Sequence, residues 1–562
     1  MIASLHLGNF KAFAETQDIP VKPITLVFGP NSAGKSSIIH SLVFAHEAMR
    51  TGELDLFRTE LGGGSIDLGG FGQYIHRRQV NRRMEWGLTL DTGKFSGRLK
   101  ELLAPVTKIG LSITCGMPLD DQDQPLPGAA PRVISYTLEG DGSILLRMSR
   151  RSGNVMALDL LPLRHPVLRR LISALLEGFT TTGVVSEQDL KALEGHITEI
   201  VTGLRGPMGA LFPKGLRDEN RDEEAGKQIS LFPVSRGNRQ EDLARALRFF
   251  LPRALDELIQ EVNRVIQKEI NRLQYLGPLR SYPARHLAFA EHDDVNWYAG
   301  GGYAWDVVRR NREVREKVNA WLGDARKFST PYELAIRRLL TIDDLGADYH
   351  AIVEKIERAY IQDGFPELTA DDPLEEKDEV YELYDGDPFA AVSKALSHLK
   401  KKEEILSGIQ ELVLMDRRTD TQVSHRDVGI GVSQALPVLV SAYASREKII
   451  AIEQPEIHLH PALQAELADV FIESALAGNG NTFLLETHSE HLILRILRRI
   501  RETAEGELPE GAVPVTPDQV SVLYVQPGKK GSEVLHIPVD AEGEFERPWP
   551  QGFFAERARE LF

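Results

Sequence analysis

Residues 24–37 read ITLVFGPNSAGKSS, a single run that holds a short apolar segment and the glycine-rich turn after it. Ile24 to Phe28 is β-branched and aromatic and stops at Gly29-Pro30, while helical spacing starts at Lys35 and continues to about Met49. The turn fits G-x-x-x-x-G-K-[ST] in the strand, loop, helix context that this pattern requires. Glycines let the backbone wrap with its N–H groups pointing inward at phosphate oxygens, and the helix N-terminus adds partial positive charge. Gly29, Pro30, Asn31, Ser32, Ala33, Gly34, Lys35, Ser36 and Ser37 are therefore the candidate phosphate-binding set. Lys35 places a cation on the β- and γ-phosphates, and the Ser36 hydroxyl is suited to the shell of a magnesium ion.

Such a loop needs a carboxylate at the end of a neighbouring strand, and residues 448–461, KIIAIEQPEIHLHP, supply one. Ile449 to Ile452 bury a strand that delivers Glu453 to its C-terminal edge, where open α/β sheets bind ligands. Glu453 is the second candidate for magnesium, with Ser36. The strand at 482–485 delivers His488 to the same edge, where an imidazole can hydrogen-bond a γ-phosphate or position water.

Composition bounds the remaining choices. The 562 residues exceed one ordinary domain, and 82 acidic against 66 basic residues leave a net charge of −16, which argues against a general polyanion-binding surface. Cys115 is the only cysteine, which excludes an internal disulfide framework and a cysteine-rich zinc site and fits a reducing cytoplasm. The start, MIASLHLGNFKAF, lacks a signal-peptide pattern, and no apolar run approaches the roughly 20 residues of a membrane helix. The expectation is a cytoplasmic protein without a membrane partner.

The expected fold class is α/β, with a phosphate-loop head assembled from both chain ends around a β-rich lobe and a mostly helical middle. Residues 1–84 and 421–562 form the two parts of the head; 85–160 read as an antiparallel β lobe; 161–420 read as the helical insertion. Within the insertion, helical patterns fall near 165–178, 187–204 and 241–273, and polar stretches at 214–240 and 366–388 read as linkers. The C-terminal part alternates strand 449–452, helix 461–477, strand 482–485, helix 490–503, then strands near 520–525 and 533–538.

This arrangement resembles the ABC-type ATPase heads of the SMC, RecF and OLD kind, over roughly residues 1–80 and 420–560. The matching segments are GNFKAF at 8–13, GPNSAGKSS at 29–37, DVGIGVSQALPVL at 427–439, IEQPEIHLHP at 452–461 and ETHSEHL at 486–492. More narrowly, YLGPLRSYPAR at 275–285 and WPQGFFAERARELF at 549–562 resemble bacterial predicted ATPases that carry a C-terminal domain of unknown function. The resemblance implies two ATP molecules with Mg2+ held at a head-to-head homodimer interface. It makes Ser433 and Gln434 the signature that reaches the opposite protomer's nucleotide, Lys11 a basic group near phosphate, and Gln73 the glutamine joining nucleotide to the inserted domain.

One position departs from the resemblance. Where the magnesium acid is usually followed by a glutamate acting as general base, this chain has Gln454. An amide has no proton affinity useful for that work, but it can orient water by hydrogen bonding. The catalytic candidates are thus Gln454, Glu456 and His488, in a slow ATPase. A second reading is a regulatory module that holds ATP without useful turnover, and a transporter motor is a weaker third, because about 390 residues separate the loop from the signature. No fused TOPRIM nuclease is expected. A separately encoded effector, DNA, phage defence and DNA repair are the family-level expectations. Two basic clusters, His76 to Arg83 and Arg495 to Arg501, are weighed as nucleic-acid contacts against acid-paired surfaces, and His458 with His460 as loop-shaping residues rather than metal ligands.

Overall fold

The computed structural model describes residues 2–176, 187–218, 239–280, 295–324, 327–339, 409–423 and 430–550. Most of the 214–240 stretch, all of 366–388, and residues 281–285, 427–429 and 551–562 of the motif segments lie outside the described residues.

A six-stranded sheet organises the head, in the order Leu273–Leu276, Ile449–Glu453, Thr482–Glu486, Ile24–Phe28, Val520–Gln526 and Glu533–His536. The first five strands are parallel and the last is antiparallel to its neighbour. Ile24–Phe28, Ile449–Glu453 and Thr482–Glu486 are buried at every position, as strands covered on both faces must be. Alternate residues feed two different cores: Ile449, Ala451 and Leu484 point into one, and Ile450, Ile452, Phe483 and Leu485 into the other. Lys35–Thr51 covers the first face with Ile38, Leu42 and Val43, whereas Ile430–Ala444, Pro461–Leu476 and Glu490–Glu505 contribute to the second.

The first core continues into a nine-stranded antiparallel sheet that runs from Arg217–Asp218 at one edge to Gln17–Pro20 at the other. Met84, Trp86, Leu88 and Leu90 are buried opposite Cys115, Ile113, Leu111 and Ile109, a period-two pattern on a half-covered sheet. Ile2–Gly8 pairs with Met84–Asp91, so this sheet takes in the chain's N-terminal strands as well as 84–160. The long helix Arg239–Ile270 packs on it, and Tyr136 donates its hydroxyl to Asn263 Oδ1 at 2.6 Å.

Within 161–420 the structure adds strands to the helices Pro166–Leu176, Glu187–Gly203 and Arg239–Ile270. Leu204–Pro207 joins the nine-stranded sheet, Leu273–Leu276 forms an edge of the central one, and Tyr332–Leu339 pairs with Ile409–Asp416 in a small third sheet. The helical pattern read near 241–273 takes in Leu273, the first residue of this strand, because a four-residue segment directly after a long helix carries no periodicity of its own.

Leu485 is fully buried at the centre of the sheet. Leu485→Ala should lower stability by about 2–5 kcal/mol in urea unfolding followed by fluorescence; a loss below about 1 kcal/mol would contradict this packing.

Candidate functional site

Two glycines shape the phosphate loop. Gly29 has φ 144°, and a Cβ there would lie 2.4 Å from the Val525 carbonyl oxygen; Gly34 has φ 99°, and its Cβ would meet Ala12 Cβ at 2.3 Å. Neither position admits another residue without displacement. Asn31 and Ser32 sit exposed at the tip, Ala33 is buried, and Ser37 is buried with its N–H bonded to the Gly34 carbonyl. The helix begins at Lys35 with no side-chain cap, so its first N–H groups face the loop's concavity as donors. Lys35 is buried, and its Nζ donates to the Gly29 and Pro30 carbonyls at 3.1 Å each. Burial pulls its proton affinity down, opposed by the carboxylates of Glu486, Glu456 and Glu453.

Pairing of the two central strands sets Glu453 beside Glu486 at their C-terminal ends. Glu453 Oε1 accepts from the Tyr275 hydroxyl at 3.0 Å and from His40 Nε2 at 3.2 Å. Lys11 Nζ reaches His40 Nδ1 at 2.5 Å. With burial holding His40 neutral, Nδ1 accepts from the ammonium and the Nε2 hydrogen goes to Glu453. Lys11 itself is lowered to about 8 by burial, against the attraction of Glu453. Burial and the nearby Glu453 charge keep the Tyr275 phenol protonated, a donor only.

Glu486 Oε1 stands 3.9 Å from Lys35 Nζ, and the neighbouring Ser36 hydroxyl favours its charged form. Burial, followed by repulsion from Glu453, raises its carboxyl to about 7. Its Oε2 and the Oε2 of Glu456 are buried without a hydrogen-bond partner. Among the described residues no group of three or more His, Cys, Asp and Glu side chains is arranged to hold a metal by itself. That donor set suits magnesium, which takes one or two carboxylates and completes its shell with hydroxyl, phosphate and water oxygens.

The loop after Glu453 is fixed from two sides. Gln454 adopts φ 47°, donates its N–H to the Glu486 carbonyl at 2.8 Å, and accepts Arg280 Nη2 on its own carbonyl at 3.0 Å. Arg280 also donates Nη1 to the Gln434 carbonyl at 2.9 Å, tying the Ile430–Ala444 helix to this loop. Its guanidinium, buried among these groups, is lowered to about 10. Glu456 Oε1 accepts the His488 N–H at 2.7 Å, and burial raises its carboxyl. His488 is half-buried and lowered to about 4 by burial and by Lys35, so at neutral pH it is an uncharged imidazole.

The structure thus brings Lys35, Ser36, Glu453, Glu456 and His488 to one sheet edge. Ser433 and Gln434 are buried in the first turns of a helix that starts at Ile430, rather than at its exposed tip. Lys11 and Gln73 line a common cleft of about 620 Å3 with Asp67, Arg77 and Arg78. His460 caps the helix Pro461–Leu476 by accepting the Ala462 N–H, a loop-shaping role. Arg495 pairs with Glu466 and Asp469, and Arg499 with Asp469 and Glu502, which makes that cluster an acid-paired helix interface. Sequence reasoning missed Glu486, Tyr275, His40 and Arg280. Glu486 had a signal, because it ends TFLLE as Glu453 ends IIAIE; Tyr275 and Arg280 lie in YLGPLRSYPAR, which carried a resemblance but gave neither residue a role, and His40 had no local signal.

Three family models match parts of the chain: an "AAA domain" at residues 4–95, an "AAA domain, putative AbiEii toxin, Type IV TA system" at 239–495, and a "Protein of unknown function (DUF3696)" at 515–562. No curated protein matches it. Solved structures similar to it include an SMC head bound to the C-winged helix domain of ScpA, at 12% identity and TM-score 0.35, covering 96% of this chain and 98% of that one. An SMC head domain from Thermotoga maritima matches at 9% identity and TM-score 0.31, covering 96% and 99%. An SMC head with an extended coiled coil bound to the C-terminal domain of ScpA, derived from Pyrococcus furiosus, matches at 12% and 0.32, covering 100% and 98%.

Because Glu486 has a folded-state value of about 7, above that of a free glutamate, folding favours its protonated form. Stability linked to this group is complete below about pH 4.5 and is lost as pH rises toward 7. Glu486→Gln should therefore raise the unfolding free energy of the ligand-free protein, measured by urea unfolding, by a margin that grows from about pH 5 to about pH 8 and reaches on the order of 3 kcal/mol. A margin that shrinks with rising pH would refute the assignment.

Proposed function

We propose that this chain, whose matches to AAA-domain models support reading it as an ABC-type ATPase head of the SMC/RecF group, binds ATP with magnesium and hydrolyses it slowly at the edge shared by Lys35 and Glu453. The observation that carries this reading is the convergence of the phosphate-loop lysine with strand-end carboxylates from the other end of the chain, at 3.9 Å for Lys35 and Glu486. Lys35 exchanges its loop carbonyls for β- and γ-phosphate oxygens, and the N–H groups of Gly34, Lys35 and Ser36 cradle the phosphates. Ser36 and Glu453 would hold the magnesium, which when bound would supply positive charge against the transferred phosphoryl group.

Neutral His488 donates a hydrogen bond to the γ-phosphate, and the Gln454 amide orients the attacking water. Glu456 supplies the basic oxygen for the water's proton, after which ADP and inorganic phosphate leave. Two heads close around two nucleotides as a homodimer, with Ser433 and Gln434 of each acting on the ATP of the other. Both residues are buried in the single protomer, so this step requires the Ile430–Ala444 helix to shift, and Arg280 couples that shift to the Gln454 loop. The nucleotide state is passed to DNA or to a separately encoded effector in the cytoplasm, in phage defence or DNA repair. No described helix is long and apolar enough to cross a membrane.

One observation favours an ATP-gated binding module over a turning enzyme. Gln454 is an amide, and Glu456 is already engaged by the His488 N–H. Steady-state phosphate release, measured with and without DNA, separates the two readings. Release should be slow in the wild type and abolished in Lys35→Ala, whereas ATP-bound dimers without any release would favour the module. Gln454→Glu should raise kcat by about tenfold or more, the scale of a positioned general base; a clear fall would count against the orienting role of Gln454.

A further inference from the structure

Glu486 carries no chemical step in the scheme above, yet its approach to Lys35 makes it the carboxylate beside the phosphate loop. Its Oε1 lies 3.9 Å from Lys35 Nζ, with the Ser36 hydroxyl beside it. Glu453 is committed differently, its Oε1 receiving hydrogen bonds from Tyr275 and His40. Residues in register on neighbouring parallel strands project to the same side, about 4.8 Å apart, so Glu453 and Glu486 present two carboxylates to one space. Like charges at that spacing destabilise the fold unless a cation lies between them.

The second observation is independent of the pairing. Glu486 is 6% exposed, and its Oε2 is buried with no donor. A buried carboxylate oxygen left unmatched is costly, and its retention beside a serine hydroxyl and a lysine marks a place built for an added ligand. A hard divalent cation meets that requirement, since it accepts carboxylate and hydroxyl oxygens and relieves the repulsion from Glu453. Glu456 is the less suitable acid, because its Oε1 is held by the His488 N–H and Arg280 balances its charge.

We propose that Glu486 is a magnesium ligand of this site beside Ser36, with Glu453, oriented by Tyr275 and His40, as the neighbouring carboxylate. The proposal rests on the ATP reading and deepens it. ATP affinity is measured by calorimetry on the full chain, in Mg2+ and again in EDTA, for wild type, Glu453→Gln and Glu486→Gln. Glu486→Gln should lose about tenfold or more of its affinity in Mg2+ and stay within about twofold of wild type in EDTA. Equal Mg2+ dependence in wild type and Glu486→Gln overturns the proposal while leaving ATP binding intact. A wild type that binds no ATP instead overturns the reading beneath it. Should Glu486→Gln fail to fold, the wild type decides the matter alone: Fe2+ substituted for Mg2+, with ascorbate and peroxide, should cut the backbone next to Glu486 as well as at Ser36. Cuts at Glu453 with none at Glu486 overturn the proposal.

Discussion

Four backbone register pairs, from Phe483 with Ile24 to Glu486 with Val27, join strands that come from opposite ends of the chain. Closing a loop of that length costs roughly 5 kcal/mol in chain entropy. Burying Leu26, Leu484 and Leu485 repays about 1.5–3 kcal/mol for each side chain, so a few fully covered positions suffice to hold the ends together. Val520–Gln526 adds a second seam on the other side of Ile24–Phe28. The phosphate loop therefore hangs from a strand clamped by two strands from the C-terminal part, and the acids at their tips inherit their position from backbone pairing rather than from flexible side chains.

That constraint also explains the unusual electrostatics. Parallel strands with continuous apolar runs must end somewhere, and their last residues emerge together at one edge. Here three buried glutamates, a buried lysine and a half-buried histidine share that edge. The result raises two carboxyls, lowers an imidazole and leaves buried oxygens unmatched. Such an arrangement weakens the empty fold, and it fits a site whose stability is completed by what it binds.

Much of this was legible in the residues. Ile449 to Ile452 and Phe483 to Leu485 announce buried strands by composition alone, and the acid or histidine after each follows from the known location of α/β sites. Tyr275 and His40 were not legible, because their bonds to Glu453 span 178 and 413 positions and neither residue sits in a pattern that demands a partner. Arg280 is similar: its motif names no partner, and the fold buries it with both of its terminal nitrogens on backbone carbonyls. The inclusion of Ile2–Gly8 in the large antiparallel sheet was hidden for another reason, since strand partners depend on register across the chain rather than on local alternation.

Lys35 rests against the carbonyls of its own loop, and this has a kinetic meaning. Its four methylenes are already ordered, so an incoming anion need not freeze a wandering side chain. The encounter becomes an exchange of two neutral acceptors for charged ones, with little backbone rearrangement. Capture should then be quick, and the differences among competing anions should appear in how long each one stays.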